Sequence, residues 1–278
     1  MTVLVVGALH LDVVLNAPNL PAIDETVTGS SVDYVFGGKG GNQAVSAAQM
    51  GASVHFAGRT GSDQFAGLLR AALDSNRIDK SQLQRDPGPS GMSAAIVDAQ
   101  GDYGAVIVSA ANLNIDGDQI KIPDGTTLVL LQNEIPEAVN LSVAKRAKAA
   151  GAQVWWNAAP ARSTSVEFSA LVDLVIVNRV EAGFYQGKLA GCDVLTTLGP
   201  DGVMYQDRSF AALQVAVTST HGAGDMFVGA LAASVAQGTQ MAAAIAFAQA
   251  AAALHVSRDH AAAVDIDAAA VAAFQSSR

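Results

Sequence analysis

The sequence predicts an α/β protein built on a largely parallel central sheet, with a small β appendage contributed by two separated pieces of chain. Three observations carry this. Between Ile122 and Gly199, short apolar strand candidates alternate with helical stretches, the pattern of stacked α/β layers. Short strands at about 13–36 and 91–109 do not fit that repetition and are assigned to the appendage. From Ser219 to Arg278 the chain turns almost wholly helical.

The first strand candidate is Val3 to Gly7, β-branched and short, and Val13 to Leu15 resumes an extended tendency after a break. Asp24 to Phe36 alternates Thr, Val, Ser and Tyr in a way suited to exposed strands. The period changes at GGKGGNQAVSAAQMG, Gly37 to Gly51, where a glycine cluster leads into an Ala-rich helix, and Ser53 to Ala57 supplies the next strand. A second helix is expected over Asp63 to Asp74. In GMSAAIVDAQGDYGAVIVSAANLN the Gly-Asp-Tyr-Gly interruption favours a hairpin. The alternating region then places strands at Thr127 to Leu131, Val154 to Trp156, Leu174 to Val177 and Val194 to Thr197. Gly238 marks a turn in the C-terminal part, and AAAIAFAQAAAALHV forms a buried helix whose alanines permit close packing.

With 278 residues, 50% of them hydrophobic, the chain can bury one substantial core and a small appendage. Sixteen Lys and Arg against 25 Asp and Glu give a net charge of −9. That balance argues against nonspecific binding to nucleic acid or an anionic membrane, although a local basic site could still hold a phosphate. The single cysteine, Cys192, reads as a buried structural thiol, and no Cys/His cluster suggests zinc. The apolar start MTVLVVGALHLDVVLNA lacks a basic leader and is interrupted by His10 and Asp12, while Gln249 and His255 break the Ala-rich tail. The expectation is a soluble cytoplasmic protein.

The chemistry concentrates in a few segments. In STHGAGDMFVGALAA, Gly222, Ala223 and Gly224 would expose backbone N–H groups at a helix entrance, where an anion could sit. Asp225 could accept a proton from an attacking hydroxyl, so the segment would combine anion hole and base. The plainer alternative is a tight turn and a helix cap. GGKGGNQ lets a ligand approach the backbone and offers Lys39 and Asn42 as donors, or else is a flexible strand-to-helix loop; it is not a Walker A sequence. His10 and Asp12, near the end of the first strand, could contact sugar hydroxyls or be ordinary loop residues. In NRVE, Asn178 and Glu181 lie three apart, able to organise water around Mg²⁺ or to cap a surface helix.

Taken together in their order, GALHLD, GGKGGNQA, LLQNEIP, NAAPAR, NRVEAG, TLGPDGV and THGAGDMFVGAL resemble the PfkB family of carbohydrate kinases, most closely its ribokinase branch. The resemblance spans nearly the whole chain. It implies one ribokinase-like kinase domain over 1–278, a three-layer α/β/α fold with a small β-sheet lid from about 13–36 and 91–109. It implies transfer of the ATP γ-phosphate to a hydroxyl of a small sugar, with ribose or a related pentose as the leading substrate. The alternatives are a nucleoside kinase and a sugar- or nucleotide-binding regulatory protein with little turnover.

Carried over by motif, Asp225 is the catalytic base and Gly222, Ala223 and Gly224 form the anion hole. His10, Asp12, Gly38, Lys39, Asn42 and Glu134 join Asp225 in the substrate pocket. Asn157, Asn178 and Glu181 resemble the groups around phosphate and hydrated Mg²⁺, and Asn178, Thr197, Gly199, Gly202 and Gly224 those on the nucleotide side. ATP and Mg²⁺ are the implied cofactors, and a homodimer through the lid is a plausible further implication. Three departures stand out. His10 replaces a usual Asn; Ser219 and His221 replace an Asp and a small hydroxylated residue; and SRDHAAAVD lacks the usual loop glycine. Loss of an oxygen-rich cage makes potassium dependence doubtful.

Overall fold

A computed structural model describes residues 1–100, 102–189, 191–258 and 266–277. Its main sheet contains β1 (Thr2–Val6), β4 (Ser53–Thr60), β5 (Asp79–Arg85) and β8 (Thr126–Gln132). It continues through β9 (Gln153–Asn157), β10 (Leu174–Asn178), β11 (Asp193–Thr197), β12 (Val203–Tyr205) and β13 (Arg208–Phe210). The strand order is β13-β12-β11-β10-β9-β8-β1-β4-β5. All pairs from β11 to β5 are parallel, and only the β12 and β13 edge is antiparallel.

Both faces of this sheet are covered at its centre, which explains why β1, β8, β9 and β10 carry continuous apolar runs. On β1, Val3 and Val5 join one buried cluster, while Leu4 and Val6 join the other. The first cluster is closed by α1 (Lys39–Gln49), α2 (Ala66–Ser75), α6 (Ala223–Ala236), α7 (Met241–Val256) and α8 (Ala268–Ser276). The second is closed by α3 (Glu137–Ala149), α4 (Val166–Ser169) and α5 (Arg179–Tyr185). The result is the predicted three-layer α/β/α arrangement.

The small residues of α1 and α6 bring these two helices unusually close. A Cβ on Gly229 would lie 2.5 Å from both the Gln43 carbonyl oxygen and Ser46 Cβ. The Ser46 hydroxyl donates to the Met226 carbonyl at 2.8 Å across the same contact. That closeness carries α1 polar side chains to the first turn of α6.

A second sheet contains β2 (His10–Asn16), β3 (Ser31–Gly37), β6 (Gly91–Val97) and β7 (Tyr103–Val108), in the order β3-β2-β6-β7. His10 and Asp12 therefore lie within a strand of this sheet, not in a loop after β1. Residues 24–30 form no strand: the Ala22 to Glu25 turn is closed by the Glu25 side chain on the Ala22 N–H at 2.8 Å, and Asp24 has φ 65°.

Several elements depart from the sequence reading. β5 is a polar edge strand with no periodic apolar signal, and the β12–β13 hairpin turns on Gln206 and Asp207 at φ 48° and 58°. Helix α2 begins at Ala66, with Phe65 as its N-cap residue, and Asp63 lies before it in a turn where its Oδ1 accepts from the Phe65 and Ala66 N–H groups. Cys192 is half-buried, not buried, and burial pushes its thiol pKa up. Of SRDHAAAVD, residues 259–265 lie outside the described residues. Among the described residues no helix is long and apolar enough to cross a membrane.

Candidate active site

The site begins where α1 meets the end of β1. Gly38 adopts φ 89°, and a Cβ there would sit 2.6 Å from the Ala8 carbonyl oxygen. A Cβ on Gly40 would sit 2.7 Å from Gly7 Cα. The glycines thus serve tight backbone packing, and the loop is not a loose one. This seats Lys39 as the first residue of α1, with its backbone N–H donating to Glu134 Oε2 at 2.7 Å.

Lys39 is the electrostatic centre of three acids. Its ammonium pKa is raised first by Asp225, with Glu134 and Glu181 adding to this against the opposing effect of burial. Burial pushes Glu134 up to about 7, with the Lys39 N–H and ammonium working against that rise. Asp225 and Asp12 add to the rise, so both belong to the same field. Glu181 is also raised, chiefly by burial.

Asp225 sits in the first turn of α6 and is 9% exposed. Its Oδ1 accepts from Gln43 Nε2 at 2.8 Å, and its Oδ2 from Asn42 Nδ2 at a long 3.4 Å. Gln43 Nε2 also donates to Asn157 Oδ1 at 2.9 Å, and Asn157 Nδ2 donates to the Ile176 carbonyl at 3.1 Å. Gln132 Nε2 donates to Gln43 Oε1 at 2.8 Å. Both ends of the Asn157 amide are therefore engaged within the protein. Gln43 and Gln132 are the residues that sequence reading missed, although a lone glutamine closing the apolar strand LVLLQ was a signal.

The turn before α6 is built to present backbone. Gly222 adopts the left-handed conformation at φ 73°, and no side chain caps the helix. The leading N–H groups of a helix have no partners within it. Of these, the Ala223 N–H is drawn back to the Thr220 carbonyl at 3.3 Å, so Gly224 and Asp225 carry the donors that continue the turn. The turn is anchored to the end of α7. Thr218 and Ser219 N–H groups donate to the Val256 carbonyl at 2.7 and 3.3 Å, and His255 Nε2 contacts the His221 carbonyl at 2.8 Å.

In the small sheet, Asp12 Oδ1 accepts from the Ser93 hydroxyl, and Gly37 leaves room for the Asp12 carboxylate, since a Cβ there would meet Oδ2 at 2.1 Å. His10 is 3% exposed and its Nε2 is buried without a partner. Burial lowers its pKa, with Asp12 opposing, so a neutral ring is favoured. Another residue not foreseen, Asn112, holds the Leu9 backbone between its two amide ends at 3.0 and 2.9 Å and so fixes the path from β1 into β2.

On the other flank, Asn178 and Glu181 form a reciprocal capping box for α5: Asn178 Oδ1 accepts from the Glu181 N–H at 2.9 Å and Glu181 Oε2 from the Asn178 N–H at 2.8 Å. The pair is a cap, yet not a surface one, because Glu181 is 7% exposed and shares the field of Lys39 and Asp225. Thr197 lies opposite Asn178 in the β10–β11 register. Gly199 and Gly202 shape the following turn at φ 61° and 97°, and a Cβ on Gly202 would lie 2.0 Å from the Phe210 carbonyl oxygen. Arg179 closes this turn onto the Leu198 carbonyl at 2.9 Å and Asp201 at 2.6 Å. These residues line the ends of β10 and β11 and make no direct bond to the Asp225 group.

No set of three or more His, Cys, Asp or Glu among the described residues could cage a metal. One buried carboxylate, Glu181, with only Oε2 used in the cap, does fit a hydrated Mg²⁺, which ordinarily keeps several waters and takes its other oxygens from phosphates.

The sequence matches the description "pfkB family carbohydrate kinase" over residues 2–268. It is 33% identical over 271 residues to a ribokinase of Bacillus subtilis, covering 91% of this chain and 92% of that protein. It is 32% identical over 246 residues to a ribokinase of Lactococcus lactis, covering 82% and 81%. The fold superposes on a ribokinase of Thermotoga maritima with a TM-score of 0.88 at 27% identity, covering 99% of both chains. An Arabidopsis thaliana ribokinase solved with ribose and ATP gives 0.87 at 27% identity, covering 98% of this chain and 97% of that one. With a family match across nearly its whole length, on a fold that sets an acid at a glycine-turned helix start beside a half-buried lysine, the chain belongs to the pfkB family of carbohydrate kinases.

Proposed function

We propose that this carbohydrate kinase transfers the terminal phosphoryl group of ATP to a hydroxyl of ribose or a closely related pentose, with Asp225 as the base. The observation that carries the reading is the placement of Asp225: buried, in the first turn of a helix with a left-handed glycine before it, and hydrogen-bonded through Oδ1 to Gln43. The sugar oxygen attacks the γ-phosphorus, the bond to the departing ADP oxygen breaks, and the hydroxyl proton passes to Asp225. The N–H groups of Gly222, Gly224 and Asp225 at the start of α6 face the phosphoryl oxygens and stabilise their charge. Ala223 contributes through the turn it closes with Thr220.

Asp12, Asn42, Glu134 and the Gly38–Lys39 backbone hold the sugar hydroxyls, and His10, neutral, offers Nε2 to one of them. Lys39 tempers the charge of Glu134, Glu181 and Asp225. Asn178, Thr197, Gly199 and Gly202 border the nucleotide at the ends of β10 and β11. Asn157, both of whose amide ends are engaged, enters the reading as a support for Gln43. Mg²⁺, held through water near Glu181, would supply charge neutralisation between the phosphates.

The four-stranded sheet acts as the lid over the sugar. Its register places Asp12 and Ser93 on one face, and Tyr34, Val13, Ala94 and Val106 in a row on the other. Val32, Tyr34, Val106 and Val108 are exposed, and this apolar face is the surface for a homodimer. Thr218, Ser219 and His255 tie the turn before α6 to the end of α7, and Ser219 in place of an acid makes potassium-independent turnover the expected outcome.

The test is to incubate the protein with ATP and Mg²⁺ and separate members of a sugar and nucleoside panel, detecting phosphorylated products by mass. Phosphorylation of ribose or another pentose is expected. Selective phosphorylation of a nucleoside would replace the sugar assignment, and ligand binding with no product would make the protein a binding module.

A further inference from the structure

We propose that Gln43 is a positioning residue for Asp225, and that the backbone carbonyl of Ile176, acting through Asn157, forces it to act as a donor. The proposal rests on Asp225 being the base. A backbone carbonyl can only accept, so Asn157 must turn its Nδ2 toward Ile176, at 3.1 Å. That leaves Asn157 Oδ1 facing Gln43, and Gln43 must answer with its amide NH₂, at 2.9 Å. An amide NH₂ carries two hydrogens, and the second points at Asp225 Oδ1, at 2.8 Å.

The same sense continues outward. With its nitrogen committed, Gln43 presents Oε1 to Gln132 Nε2 at 2.8 Å, and Gln132 is left with Oε1 buried and unpartnered beside Gly7. Turning the Gln132 amide over would set two oxygens against each other. An orphaned buried oxygen is costly, and the arrangement keeps it because every amide upstream is already committed. Gln43 and Gln132 are fully buried and Asn157 nearly so, which shields the relay from water that could substitute for any member.

A donor fixed on a carboxylate favours its charged, proton-accepting form and holds one oxygen still, so Oδ2, with only the long contact from Asn42, is the one to meet the sugar hydroxyl. Four separate elements, α1, β9, β10 and α6, converge to aim the Gln43 donor at Asp225 Oδ1, while Oδ2 receives only the long contact from Asn42.

The experiment compares the wild type with Gln43→Met, Gln43→Glu, Asn157→Leu and Asp225→Asn. It reads kcat and KM for the sugar across pH, together with ADP binding by calorimetry as a check on the folded nucleotide site. Gln43→Met is expected to lower kcat by about tenfold to a hundredfold, the range for a lost hydrogen bond to a charged group. It should also move the acid limb of the kcat profile to higher pH, with sugar KM and ADP affinity little changed. Gln43→Glu, which sets a second carboxylate against the first, should move that limb further. Asn157→Leu leaves Asp225 and Gln43 in place and should move it the same way by less, so it serves if the Gln43 variants fail to fold. A wild-type acid limb in Gln43→Met, or in Asn157→Leu where that variant stands in, would overturn the proposal. If Asp225→Asn keeps near-normal turnover, the base assignment itself fails, whatever Gln43 does.

Discussion

Glu134 Oε2 accepts the backbone N–H of Lys39 at 2.7 Å, which ties the acid that follows β8 to the first residue of α1. Burial nevertheless pushes this carboxyl up from 4.5 to about 7. Because the folded-state value is raised, the folded protein holds the proton more tightly than the unfolded chain does. The stabilisation is complete below 4.5 and is lost as pH rises through about 7. Glu134→Gln should therefore gain stability relative to the wild type between those limits, as read by denaturant unfolding at a series of pH values. In the proposed reaction the wild-type KM for the sugar should fall as Glu134 ionises, and the variant should lack that transition. A KM that is flat with pH in the wild type would remove Glu134 from the sugar.

Asp225→Asn keeps the shape and the bond from Gln43 while removing the capacity to take a proton. A drop in kcat of about 10²- to 10⁴-fold is expected, the usual reach of general base catalysis, with the thermal midpoint close to that of the wild type. Loss of turnover accompanied by loss of the folded state would point to a structural carboxylate instead.

The turn before α6 depends on one backbone conformation. Gly222 has φ 73°, and a Cβ added there would come within 3.2 Å of His255 Nε2. Gly222→Ala should cost about 1–2 kcal/mol for the left-handed conformation. It should cost proportionally more in kcat, because the N–H groups that follow would be re-aimed. Unfolding curves and steady-state rates on the same sample separate the two effects.

The His221 carbonyl can only accept, so His255 must carry its proton on Nε2 to bond it at 2.8 Å. The Thr218 and Ser219 N–H groups on the Val256 carbonyl tie the same turn to the end of α7. Rates in sodium, potassium and tetramethylammonium buffers of equal ionic strength are expected to agree. A large stimulation by potassium alone would show that a cation completes the turn after all.

The layered fold was legible because buried parallel strands such as VLLQ and LVIV must be apolar on both faces, and they alternate with helical stretches between Ile122 and Gly199. β5 was not, since DKSQLQR packs at an edge where polar side chains remain solvated, nor was a hairpin turning on Gln206-Asp207 in place of the usual glycine pair. Asp225, Lys39 and Glu134 stood out as charges among glycines and apolar residues. Gln43, Gln132 and Asn112 did not, because a neutral amide gives no local signal of burial. Its role emerges only when residues up to 182 positions apart come together, as Gln43 and Asp225 do. His10 and Asp12 were read near the end of the first strand, with sugar contact and an ordinary loop both open, because the apolar run breaks there; the Asn112 clamp on Leu9 turns that break directly into β2.

The outer face of the small sheet carries the last prediction. Pairing sets Tyr34 beside Val13, Val13 beside Ala94, and Ala94 beside Val106, one row across all four strands. Tyr34 is 57% and Val106 67% exposed, a degree that a solvated sheet face rarely gives to several large apolar residues at once. Asp12 and Ser93 occupy the opposite face, so covering the apolar row leaves open the face proposed to meet the sugar. The wild type should therefore sediment as a dimer at micromolar concentration. Val106→Glu, which sets a charge in the middle of the row, should yield a monomer that still binds ADP and has a raised KM for the sugar, since the lid loses its support. A wild type that sediments as a monomer at those concentrations would free this face from any role in pairing.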